Sequence, residues 1–166
     1  MDPYPGEAKL TLLRVRLRRD ASGYPPYDSE QVLADEVGDH LFRLAGVPVF
    51  ARGLAFGDVV EARHYGLPEQ LWVERVDVES GHSTVRVVLL GESKEEEIIQ
   101  LANDFGCQLG ESPIAGLFAL DVAPPTDVAG LVAALRLGRS SGLWDYDVGV
   151  AARSHGLLIG AGVIGQ

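Results

Sequence analysis

Leu13, Val15 and Leu17 alternate with Arg14, Arg16 and Arg18, the period of a strand with one buried face and one wet face. The segment that follows, DASGYPPYDS from Asp20 to Ser29, cannot continue it, because Gly23, Pro25 and Pro26 block regular structure. Tyr24 and Tyr27 bracket those prolines, either presenting their rings for contact or folding back to plug a barrel end. Gln31–Glu36 and His40–Leu44 alternate again on both sides of Gly38-Asp39 and predict a hairpin. Pro48–Phe56 is apolar but irregular. Gly57-Asp58 then opens a strand over Val59–Arg63, and Tyr65–Glu69 turns the chain into Leu71–Val78. Five short strands with no helix to cover an open sheet predict a small β-barrel or curled antiparallel sheet over residues 1–82.

The second half changes period. Thr84–Leu90 is a β-branched run suited to a central strand, and Ser93 with Glu96 has the spacing of a capping box. Ile98, Leu101, Ala102 and Phe105 share one helical face, and Gly106 is the expected stop. Short strands follow at Cys107–Glu111 and Gly116–Val122. Pro124-Pro125-Thr126 is read as the start of a second helix, whose core stripe is Val128, Leu131, Val132 and Leu135. Leu143–Val148 is the last strand, with Trp144 and Tyr146 on one face and Asp145 and Asp147 on the other. The fold class is therefore α+β, a barrel or curled sheet followed by a ferredoxin-like βαββαβ sandwich over 83–149, with an apolar, glycine-rich tail over 150–166.

Composition narrows the functional classes. A formal charge of −10, from 24 acids and 14 bases, creates a field that repels nucleic acid and anionic lipid, so a macromolecular partner is expected to be basic. Simple solubility accounts for the same charge. The tail is too short and too rich in glycine for a membrane span, and the first nine residues carry prolines and acids where an export signal needs a basic start and an apolar run. Cys107 is the single cysteine, which excludes an internal disulfide, and the four histidines are scattered without metal-ligand spacing. These features point to the cytoplasm, with no metal and no cofactor.

Candidate chemistry is sparse. In Ser80-Gly81-His82-Ser83-Thr84, an extended backbone sends His82, Thr84 and Arg86 to one face and Ser83 to the other, so His82 and Ser83 are not simply a neighbouring base and nucleophile. No Gly-x-Ser-x-Gly elbow, phosphate loop or dinucleotide fingerprint is present. His64 ends a strand beside Glu61 and Arg63 and handles protons only if folding buries it. Cys107 sits at the negative end of a helix, where a structural role is expected.

Together, GYPPYDSE at Gly23–Glu30, FARGLAFGDVVEA at Phe50–Ala62, SGHSTVRVV at Ser80–Val88 and LWDYDVGV at Leu143–Val150 resemble a bacterial family known only as a domain of unknown function. The resemblance implies a small bacterial protein and carries no reaction, site or cofactor with it. Two functions are expected from the residues themselves. The first is a non-catalytic binding protein, of the kind that inhibits a toxin or assists another protein, meeting a basic partner through Asp145 and Asp147. The second is a small enzyme or ligand-handling protein with a cleft between the two halves, lined by Tyr24, Tyr27, His64, His82 and Arg86. Self-association through the sandwich sheet or the tail is a third option.

Overall fold

The computed structural model describes residues 9–158. Five strands, β1 (Leu10–Arg16), β2 (Ser29–Gly38), β3 (Leu41–Leu44), β4 (Val59–Tyr65) and β5 (Gln70–Val78), form a closed barrel in sequence order. Neighbours pair antiparallel, and the ring closes where β1 meets β5 in parallel at Arg14 and Trp72. Period-two alternation decides what lies inside: Leu13, Val15, Val32, Ala34, Phe42, Leu44, Val60 and Ala62 fill the barrel. The guanidinium of Arg16 stays outside, its Cζ 4.5 Å from the Trp72 ring centre.

The second sheet contains β6 (Ser83–Leu89), β7 (Gln108–Glu111), β8 (Leu117–Val122) and β9 (Trp144–Val150), in the order β7-β8-β6-β9. Helices α1 (Glu95–Phe105) and α2 (Val128–Ser140) interleave with these strands in the chain, giving the split βαβ arrangement. Both helices cover one face of the sheet, where Val85, Val87, Ile98, Leu101, Phe118, Leu120, Leu131, Leu135, Trp144 and Tyr146 make a single core. Each such aliphatic side chain, fully buried, stabilises by roughly 1.5–3 kcal/mol. Gly138 is required here, since a Cβ would stand 2.1 Å from the Trp144 indole. The predicted α+β class, with its barrel and its βαββαβ sandwich, is the observed one.

Both helix starts differ from expectation. Ser93 does not cap α1; the N-cap is Lys94 with no side-chain cap, and the Ser93 amide instead donates to Leu90 O in the preceding turn. The first turn still carries Glu95, Glu96 and Glu97 at the positive end of the helix dipole. The prolines at 124 and 125 lie before α2, which is capped by Asp127 through the Gly130 amide. A carboxylate that can accept from the first turn outcompetes proline as the starting signal. Gly106 does end α1, in the left-handed conformation with φ 65°.

The chain beyond β9 is not loose as far as it is described. A short 3-10 turn spans Arg153–His155, and His155 and Leu158 are both buried against the sandwich. The glycine-rich remainder of the predicted tail, from 159 on, lies outside the described residues. No helix among the described residues is long and apolar enough to cross a membrane.

Cys107 is a free, buried thiol whose ionisation burial pushes up to about 11. The fold disfavours the thiolate, so this group withdraws stability only as pH rises from its ordinary 9 towards that value. Alkylation by iodoacetamide at pH 8 should be about 100-fold slower in the native protein than in urea, following the roughly two-unit difference in thiolate population. Equal rates would mean that this end of α1 opens freely.

Candidate functional site

The halves meet along the irregular segment that precedes β4. Its shape comes from two buried or half-buried carboxylates that accept backbone amides. Glu30 of β2 takes the amides of Val49 (2.5 Å), Phe50 (3.0 Å) and Ala51 (2.9 Å), while Asp58 takes those of Ala55 (2.9 Å) and Ser80 (2.8 Å). Held this way, the segment presents its carbonyls to β6. Thr84 Oγ1 donates to Leu54 O and Arg86 Nη1 to Phe50 O, each at 3.3 Å, and the Gly53 amide donates to Gly149 O at 3.2 Å. Val49 and Phe50 pack on Leu117 and Ala119 of β8.

The helix-free face of the second sheet therefore lies against the barrel, and the pairing register arranges it in rows. One row is Asp121, Thr84 and the end of β9; the next is Ala119, Arg86 and Asp147; the third is Leu117, Val88 and Asp145. The segment before β4 covers Thr84, Asp121, Arg86 and Ala119, and Val49 and Phe50 cover Leu117. Val88 is left 38% exposed, beside the partly exposed carboxylates of Asp145 and Asp147.

Over this third row lies a cavity of about 280 Å³, with Val88, Leu117 and Asp145 along its floor, Ile114 and Tyr24 beside it, and Arg86 and Asp147 at its inner end. Arg86 is only 5% exposed and grips Asp147 with two parallel bonds, Nε to Oδ1 at 2.6 Å and Nη2 to Oδ2. Such a fork-to-fork pair is the geometry in which a guanidinium can be buried without an unpaired charge. Arg52 reaches the same carboxylate from solvent at 3.3 Å. On the other side of Tyr24 and Arg86 a second cavity, of about 250 Å³, is walled by Arg16, Arg18, Arg52, Asp20, Phe50 and Pro25, among others.

Tyr24 borders both cavities. Its ring meets Phe50 edge-on at 6.4 Å, and the loop behind it is tied by Asp20, which accepts from the Ser22 hydroxyl and from the Ser22 and Tyr24 amides. Burial raises the phenol's pKa, with the Arg86 charge opposing. Tyr27 also rests on Phe50, at 5.4 Å, facing a neighbouring groove with Glu30 and Pro113. Neither tyrosine enters the barrel core, so of the two sequence readings of this loop the geometry matches exposed contact.

The remaining predicted residues separate. His64 is exposed at the end of β4, among Thr11, His40 and Leu71, away from the seam cavities. His82 lies on the seam but points to Asp121, Nδ1 to Oδ1 at 2.8 Å, with Phe56 against its ring. Burial raises the Asp121 pKa and the His82 hydrogen bond works against that rise. Asp145 is held by Arg139 at 3.0 Å. The structure thus gathers Tyr24, Arg86, Asp145 and Asp147 around one cavity, places Tyr27 beside it, and leaves His82 and His64 outside it.

A serine and a histidine do meet, though not the expected pair. Ser83 Oγ is 2.7 Å from His155 Nδ1, and His155 Nε2 is 3.2 Å from Pro124 O. A carbonyl can only accept, so Nε2 carries a proton, and in the neutral imidazole Nδ1 then accepts from the serine. The Ser83 oxygen in turn accepts from the Ala152 amide, and Ser83 is fully buried. With its proton committed and no approach for a substrate, this serine is a clip that holds the chain after β9. The two residues are 72 positions apart, and nothing local in the sequence signals the contact. The same is true of Glu30 and its three amides. No group of three histidine, cysteine, aspartate or glutamate side chains gathers in metal-holding geometry among the described residues.

Residues 30–146 match the family described as a domain of unknown function, DUF4265, and the chain belongs to that family. The chain is also similar to a hypothetical protein from Neisseria gonorrhoeae whose crystal structure is known, with 16% identity and a TM-score of 0.72 over 87% of this chain and 96% of that one. That likeness concerns the fold. No curated protein matches the chain.

Proposed function

We propose that this protein is a non-catalytic binding protein of the bacterial cytosol that holds a small molecule in the cavity between its two halves. The observation that carries this reading is the convergence of Tyr24, Arg86 and Asp147 at the inner end of a cavity whose floor, around Val88, the barrel leaves uncovered. A mostly apolar concavity with a few fixed polar groups is the usual form of a ligand site, and the junction of two structural units is a usual place for one. The groups present are suited to recognition: the Arg86 guanidinium and the Asp147 carboxylate are locked together in a fixed geometry. The alternative partner, a basic protein, draws on the net charge of −10, but Asp145 and Asp147 are already engaged by Arg139, Arg86 and Arg52.

The test is a thermal-shift panel of bacterial metabolites on the full chain and on a Val88→Trp variant, which fills the cavity from a half-exposed position. A ligand present at a hundred times its Kd stabilises by about 2.7 kcal/mol, which for a chain of this size corresponds to a melting shift of roughly 5–10 °C. Compounds that stabilise the parent protein should do so far less in the variant. Equal stabilisation of both proteins, or none of either, overturns the reading.

A further inference from the structure

We infer that the ligand is an amphipathic oxyanion, with its apolar body on Val88 and Leu117 and its charged head beyond Tyr24, near Arg18 and Arg52. This deepens the reading above and rests on it. The second cavity is bordered by four arginines, Arg16, Arg18, Arg52 and Arg86, against a single carboxylate, Asp20. That carboxylate is already occupied: the Ser22 hydroxyl and neighbouring amides hold its pKa below the ordinary value. Among the described residues, Arg18 has no carboxylate partner, Arg52 shares Asp147 with Arg86, and the Arg16 guanidinium is engaged on the Trp72 ring.

A cavity with more arginines than carboxylates in its lining is notable in a chain of net charge −10. A bound oxyanion can accept forked hydrogen bonds from guanidinium groups such as those of Arg18 and Arg52. The adjoining cavity has the opposite character, with Val88, Ile114 and Leu117 in its lining. The two share Tyr24 and Arg86 as a common wall. One ligand that satisfies both therefore has a head that carries negative charge and a tail that avoids water. A phosphate and a carboxylate head share this chemistry, and they are separated by the choice of probe.

Isothermal titration calorimetry with decanoate, decyl phosphate, decanol and inorganic phosphate tests each part separately, using the full chain and two variants, Val88→Trp and Arg18→Gln/Arg52→Gln. Both arginines are exposed, so the double variant should melt with the parent protein. Decanoate or decyl phosphate should bind at least about tenfold more tightly than decanol, and the arginine variant should lose about that factor for the anions while decanol is unchanged. The better of the two anions identifies the head. Equal binding of decanol and the anions, or anion binding indifferent to the arginine variant, overturns the oxyanion head and leaves the cavity reading standing. Inorganic phosphate binding that depends on the arginines, with no tail contribution and no effect of Val88→Trp, overturns the apolar part and the cavity reading with it. Absence of binding by all four probes overturns the amphipathic oxyanion, while the metabolite panel above decides the cavity reading by itself.

Discussion

Replacing Arg86 with methionine should destabilise the protein by about 3 kcal/mol, the lower end of the range for removing one partner of a buried ion pair. The side chain is 5% exposed and makes three bonds, two to Asp147 and one to Phe50 O. Methionine keeps much of the volume, so little of the loss comes from an empty space. What remains is a carboxylate facing a low-dielectric wall and a carbonyl without a donor. The Asp147 side chain retains 28% exposure and the Arg52 contact, which places the expected loss at the low end. Urea unfolding measures it directly. An Arg86→Met/Asp147→Leu double variant should recover most of the stability, because both charges then leave the interior together. Its ligand binding should not recover. A single variant within about 1 kcal/mol of the parent protein would mean that water already reaches the pair.

Glu30→Ala is expected to cost a similar amount, again about 3 kcal/mol, for a different reason. The carboxylate accepts three consecutive amides, from Val49, Phe50 and Ala51, and alanine leaves all three without an acceptor. Bonds to a charged group contribute roughly 1.5–3 kcal/mol each, but solvent can replace part of them at a half-buried site. The effect should extend beyond stability, since the same segment carries the Phe50 carbonyl that receives Arg86 and the Arg52 guanidinium that borders the second cavity. Glu30→Gln should fall between, because its amide nitrogen can only donate and meets at least one N–H head-on. Unfolding midpoints in urea and decanoate affinities should therefore fall in the order parent, Gln, Ala. A Glu30→Ala midpoint equal to the parent's would show that the segment holds its shape without the carboxylate.

The elements were legible because their signals are local. The alternation of Leu13, Val15 and Leu17 with arginines marks β1, the stripe of Ile98, Leu101 and Ala102 marks α1, and Gly106 ends it through a backbone conformation that glycine adopts freely. The helix starts were less legible, since Ser93, Asp127 and the prolines offered competing signals within a few residues and only the settled backbone shows which amide each can reach. Arg86, Tyr24, Asp145 and Asp147 were each visible as candidates, but that they surround one cavity follows from β6 and β9 pairing in a register that sets Arg86 opposite Asp147 across 61 residues. His64 and His82 were both expected to line the cleft, but His64 stands exposed at the end of β4 while His82 lies on the seam against Asp121.

What the sequence determined by itself is the α+β class, the order of strands and helices, and a chain of strong negative charge, all of which depend on residue type and on neighbours a few positions away. Tertiary structure alone decided that Glu30 would hold the seam segment, that Ser83 would meet His155, and that four arginines would line one wall in an acidic protein. These depend on barrel closure and sheet register, where a shift of one residue sends each side chain to the opposite face. No local pattern encodes such a register; it is set by the sum of many small packing preferences along both sheets.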